Sequence, residues 1–100
     1  MKLTIETKSL RAALDTIKPA IDKKSKLPIL QNVLFDQDTV TATDLEVGII
    51  ATLPAAIEGD PITLPHEALS AIVKKLPKNG SVTIDTADGM ATVSSDGISA

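Results

Sequence analysis

One pattern in this chain occurs twice, and it limits the possible folds more than any other feature. Leu3 and Ile5 alternate with polar neighbours in "MKLTIE", the period of a half-buried strand. Leu10, Ala13, Leu14 and Ile17 then fall at i, i+3, i+4 and i+7, one face of a helix. At an offset of 59 residues, Ile62 and Leu64 alternate, and Leu69, Ile72, Val73 and Leu76 repeat the helical spacing. Six apolar positions at one offset mark an internal repeat. Thr7 is placed to cap the first helix and Pro19 to close it. Pro65 is expected in the first turn of the second helix, where a missing N–H is harmless, and Pro77 just past its end.

Strands follow each helix. "ILQNVLF" (29–35) reads as a buried strand, "DQDT" as a tight turn and "TVTAT" as the next strand. In "DLEVGIIATL" the residues Leu45, Val47, Ile49, Ala51 and Leu53 share one face. The second half offers "SVTIDT", an "ADG" turn, "MATVSS", and a third strand that begins at "ISA" and is cut short. The plan is strand–helix–strand–strand–strand, twice, with about eight extra residues in the first copy between helix and second strand. This predicts an α+β domain of two pseudo-symmetric βαβββ units, with two helices packed side by side on antiparallel sheets.

Residues 1–100 are one domain's worth of chain. With one Phe, no Tyr and no Trp, the core must be aliphatic. There is no Cys for a disulfide, no apolar run of membrane-spanning length and no signal pattern, so a cytoplasmic setting without membrane contact is expected. The net charge of −3 argues against binding nucleic acid by bulk charge, but the charge is blocked. Residues 1–26 carry seven basic and three acidic side chains, and residues 27–72 carry seven acids and no base. Residues 73–78 carry three lysines, and residues 79–100 three acids. Arg11 and Lys18 share the outer face of the first helix, Lys74, Lys75 and Lys78 end the second, and Lys23, Lys24 and Lys26 hang from the loop between. The repeat therefore brings the basic blocks together on a helical side and leaves the acids to the strands and their turns. Lysines of this kind, without an Asn/Gln/Arg cluster on a helix, suit phosphates rather than bases.

Catalytic and metal chemistry find little support. Asp36, Asp38, Asp44 and Glu46 lack the glycine and terminal glutamate of a calcium loop and suit turns. His66 is the single histidine and has no nucleophile beside it in sequence. Ser94 and Ser95 lack a nucleophile-elbow context, and no glycine-rich phosphate loop occurs. No cofactor and no metal are expected, and the chain does not read as an enzyme.

"MKLTIE", "LPILQNVLF", "TATDLEVGI" and "ITLPHEALSAIVKKLP", in this order, resemble the first domain of the bacterial DNA polymerase sliding clamp family, the DNA polymerase III beta subunit. The resemblance covers Met1 to about Ser95. It implies the DNA-clamp fold and a processivity factor for DNA replication: a ring of repeated domains around duplex DNA, with helices lining the hole. Lys24 and Lys74 match basic positions that face the duplex, and Lys23, Lys26, Arg11, Lys18 and Lys75 join them through the charge pattern. His66, Glu67 and Ala68 match a subunit interface with a second clamp subunit or further clamp domains. The pocket for the polymerase and clamp loader is expected outside this chain. After Ser95 the family continues with an Arg-rich turn and an aromatic-containing strand, where this chain has "SSDGISA", so the domain reads as clamp domain 1 with its last strand truncated. The alternative is a freestanding clamp-like module whose sheet edge pairs with another protein, without encircling DNA.

Overall fold

In the computed structural model, which describes residues 1–21, 31–44 and 46–95, each repeat opens with a strand that runs into a helix without a loop. β1 (Lys2–Glu6) leads into α1 (Thr7–Ile17) and a 3-10 turn, Lys18–Ala20. β2 (Asn32–Asp36), β3 (Thr39–Thr43) and β4 (Gly48–Thr52) complete the first unit. β5 (Ile62–Pro65) leads into α2 (His66–Lys74), followed by β6 (Ser81–Ala87) and β7 (Met90–Ser95). The third strand expected at "ISA" lies outside the described residues.

The two units exchange their first strands. One antiparallel sheet has the order β4-β3-β2-β5, the other β1-β6-β7. In the ladders Leu3 faces Ile84 and Ile5 faces Val82, while Ile62 faces Phe35 and Leu64 faces Val33. Phe35 is thus the counterpart of Ile84, and Val33 of Val82, at an offset of 49 rather than 59. The first copy therefore carries ten additional residues between helix and second strand, two more than template counting suggests.

Both hairpins turn through left-handed residues. Asp88 (φ 53°) and Gly89 (φ 78°) give the doubly positive two-residue turn that matches strand twist. In the first hairpin Gln37 has φ 55°, which is unfavourable for a residue with a Cβ. The chain after β4 holds that turn in place: Ile57 N–H donates to Gln37 O at 2.6 Å and Leu53 N–H to Asp38 O at 2.7 Å.

The strands' inward residues and the helices' apolar faces form one core. Leu3, Val33, Phe35, Val40, Val82 and Ile84 supply the sheets' side, and Leu10, Leu14, Ile17, Leu69 and Val73 the helices' side. α1 packs against α2, β3 and β4. Such dense aliphatic burial, at ~25 cal/mol per Å² of apolar surface, is the main favourable term for a chain with one aromatic residue.

Several local expectations change. Thr7 is the first residue of α1 rather than its cap, and Glu6 at the cap position makes no side-chain cap bond. Pro65 ends β5 and precedes the helix instead of lying in its first turn. Lys18 begins the 3-10 turn and is not part of α1. Ile72 is 44% exposed, so the second helix buries Leu69 and Val73 but not the full i, i+3, i+4, i+7 set. Val47 precedes β4 and is 53% exposed; Leu45 lies outside the described residues. The outer faces of the sheets are threonine- and serine-rich, with Glu6, Asp36 and Asp85 among them; Asp38, Asp44, Glu46, Asp60 and Asp88 sit in turns and loops, and Asp15 and Glu67 are exposed on the helices.

Candidate nucleic-acid interface

The basic residues are positioned by the helix ends. α1 is built of strong helix formers (Leu, Ala, Arg), and its buried residues are Thr7, Leu10, Ala13, Leu14 and Ile17. That fixes the opposite side toward solvent. Arg11, half-buried, lies along its flank, and Lys18 is exposed immediately beyond its end. In α2 the buried set His66, Leu69, Ser70 and Val73 leaves Glu67, Ala68, Ala71 and Lys74 exposed. Lys75 follows as the C-cap, its N–H donating to Ile72 O, and Leu76 N–H donates to Val73 O, both at 3.1 Å. A cation in this place also complements the negative end of the helix dipole. Lys78 is exposed in the turn after α2.

Lys18 and Lys74 meet at a groove of 210 Å³ between the two helices, with Ser70, Ala71, Glu67 and the edge of His66. Among the described residues the ion pair is Lys8 with Glu6 at 3.6 Å, both well exposed. Arg11, Lys18, Lys74, Lys75 and Lys78 form none there, so their charge is available to an outside anion. Small side chains at Ser70 and Ala71, one turn before Lys74, keep the groove open. Sequence reasoning missed them; the signal was the i, i+3 and i, i+4 spacing to Lys74. Lys23, Lys24 and Lys26 lie outside the described residues.

The three residues expected at a subunit interface separate. Glu67 and Ala68 are exposed and line a second groove of 350 Å³ with Ile21, Gln31, Pro65 and Ala71. His66 is only 2% exposed, and its Nε2 lies 3.0 Å from Leu14 O, to which it donates. The ring therefore ties the start of α2 to the last turn of α1, with only its edge reaching the groove beside Lys18 and Lys74. Its Nδ1 and the hydroxyl of Thr7, which holds the matching first position of α1, are buried without a hydrogen-bond partner among the described residues.

The acidic turns are structurally occupied. Asp44 Oδ1 accepts from Val47 N–H at 2.7 Å and Glu46 N–H at 2.9 Å. These bonds, that from Val47 foremost, hold its carboxyl below the ordinary value of 3.8. Among the described residues no three His, Asp or Glu side chains converge as a metal site would require.

Comparison with known proteins agrees with this architecture. The family described as DNA polymerase III beta subunit, N-terminal domain, matches residues 1–100. A beta sliding clamp of Synechococcus elongatus is 35% identical over 101 residues, covering 94% of this chain and 27% of the relative. One from Caulobacter vibrioides is 37% identical over 89 residues, covering 84% and 24%. Among solved structures, the pol III beta of Caulobacter crescentus superposes with a TM-score of 0.85 at 34% identity, covering 95% of this chain and 27% of that one. A putative DNA polymerase III beta subunit from Eubacterium rectale gives 0.85 at 30% identity, covering 94% and 27%. The chain spans about a quarter of the length of these relatives. Its repeat, its two antiparallel sheets and its match along the whole sequence place it in one family: the chain belongs to the DNA polymerase III beta subunit N-terminal domain family.

Proposed function

We propose that this chain serves as one domain of a sliding clamp, a ring that encircles duplex DNA and keeps a replicative polymerase on its template. The observation that carries the reading is the segregation of charge. Arg11, Lys18, Lys74, Lys75 and Lys78 gather at the helices and their ends with no ion pair among the described residues, while the sheets' outer faces are largely hydroxylic. Lys23, Lys24 and Lys26 of the 22–30 segment extend the same basic set in sequence. A flexible ammonium carries no base-reading geometry, so it contacts phosphates wherever the duplex lies. That indifference is what sliding requires. Retention comes from closure of the ring, and the domain makes and breaks no covalent bond. Glu67 and Ala68 join it to a neighbouring clamp subunit, and the polymerase and clamp loader engage residues outside this chain.

The test is a titration of two unrelated labelled duplexes with this chain over a range of salt. With three to five phosphate contacts, log K is expected to fall with log salt at a slope of about −3 to −5, equally for both sequences. Replacing Lys18 and Lys74 by Gln should flatten that slope by about 2. Sequence preference, or an unchanged slope in the double variant, would refute the assignment of this face.

A further inference from the structure

Residues 77–80 join the end of α2 to β6 in a tight turn, closed by Gly80 N–H donating to Pro77 O at 3.3 Å. That bond is long for an amide pair and easily given up. The turn also holds the other helix. Gly80 O accepts the N–H of Thr7, the first residue of α1, at 3.0 Å. The N–H groups at a helix start have no intrahelical partner, and Glu6 gives α1 no side-chain cap, so Gly80 O supplies an acceptor that the start of α1 lacks.

Asn79 stands directly before that carbonyl. It is exposed, and its side-chain amide makes no hydrogen bond among the described residues. Gly80 has no Cβ to shield its backbone nitrogen from the amide beside it. The glycines with positive φ among the described residues are Gly59 and Gly89, so the backbone angle at Gly80 does not itself call for glycine. The other asparagine, Asn32, lies within β2 opposite Pro65 and is followed by the β-branched Val33.

We infer that Asn79 and Gly80 form a self-modifying site, where the side-chain amide is lost to water and the turn gains a carboxylate. The Gly80 nitrogen gives its proton to hydroxide and attacks Asn79 Cγ. The N–Cγ bond forms, the Cγ–Nδ2 bond breaks, and Nδ2 leaves as ammonia once protonated by water. Water then opens the resulting five-membered succinimide at either carbonyl, giving aspartate or isoaspartate. Overall one water is consumed, one ammonia is released, and nothing is oxidised or reduced. Either product adds a negative charge beside Lys78, in the basic block that holds Lys74 and Lys75. Isoaspartate also adds a methylene to the backbone immediately before Gly80, which displaces its carbonyl from Thr7 N–H. The site itself is independent of DNA binding; its effect on duplex affinity rests on the function proposed above.

The test is warm incubation of this chain at mildly alkaline pH, followed by tryptic mass mapping and isoaspartyl methyltransferase labelling. The amide at Asn79 should be lost at least about tenfold faster than that at Asn32, where a side chain shields the following nitrogen. The Gly80→Ala chain should react at least about tenfold more slowly for the same reason. Equal loss at both asparagines, or an unchanged rate in Gly80→Ala, would overturn the inference. So would loss at Asn79 only in urea-unfolded chain, because the folded turn would then forbid the reaction. The isoaspartyl form, separated by ion exchange, should unfold at a urea midpoint about 0.5 M lower, from one lost bond at the helix start. An unchanged midpoint would overturn the coupling to α1. Asn79→Asp adds the charge without the methylene; it should keep the midpoint and flatten the salt slope of duplex binding by about 1. An unchanged slope in that variant, with Asn79 reacting as expected in the unaltered chain, would refute the DNA-facing reading and uphold the site.

Discussion

Replacing Leu69 and Ile72 by Ala, one at a time, separates what the repeat promises from what the fold delivers. The repeat makes the two residues equivalent to Leu10 and Ala13, all on one apolar face. In the structure Leu69 is 4% exposed within the core, and Ile72 is 44% exposed. Truncating a buried leucine removes its transfer free energy and leaves a cavity, which together cost about 2–5 kcal/mol. Ile72 retains nearly half its contact with water, so its truncation costs at most about 1 kcal/mol. Alanine's better helix propensity returns a few tenths of that, about 0.4 kcal/mol. Urea unfolding followed by far-UV circular dichroism suits a chain without Trp or Tyr. With m of about 1.5 kcal/mol per molar, Leu69→Ala should move the midpoint by roughly 2 M and Ile72→Ala by roughly 0.5 M or less. Equal shifts would show that α2 is rotated relative to the arrangement described, and the assignment of its exposed face to a ligand would fall with it.

Two further outcomes are expected. Replacing Lys23, Lys24 and Lys26 together by Ala should change the thermal midpoint by no more than about 3 °C, while flattening the salt dependence of duplex binding; a large fall in the midpoint would make these lysines structural. For Asp44 the folded carboxyl titrates below its unfolded value, so its contribution is present above pH 3.8 and fades as pH falls through the folded value. Asp44→Ala should therefore lower the urea midpoint at neutral pH and converge with the unaltered chain as the pH falls through the folded value; a deficit that persists in acid would contradict the turn's dependence on the carboxylate.

The local pattern was legible because its causes are local. Leu10, Ala13, Leu14 and Ile17 all point into the core, as a 3.6-residue period requires. Asp88-Gly89 turns the second hairpin because a two-residue turn needs positive φ, which these residues tolerate. The strand–helix opening of both units, the α+β class and the gathering of basic residues at the helices follow from the same periodicities. So did the family resemblance, carried by short motifs in order. The surroundings of the two proposed sites, by contrast, depend on contacts between distant residues. Nothing near Leu3 announces Ile84, yet that pairing, and Ile62 with Phe35, exchanges the first strands of the units. A strand's edge is satisfied by whichever partner the packed core places beside it, and apolar alternation does not encode the partner's identity. Ile72 escapes the core, and Ser70 enters it, because the partner elements decide how far each helix face is covered. His66 reads on paper as a surface residue at a helix start. Only the approach of α2 to the last turn of α1 brings its Nε2 to Leu14 O, and burial then makes that bond worth keeping, since an unmet polar group in a dry interior is costly.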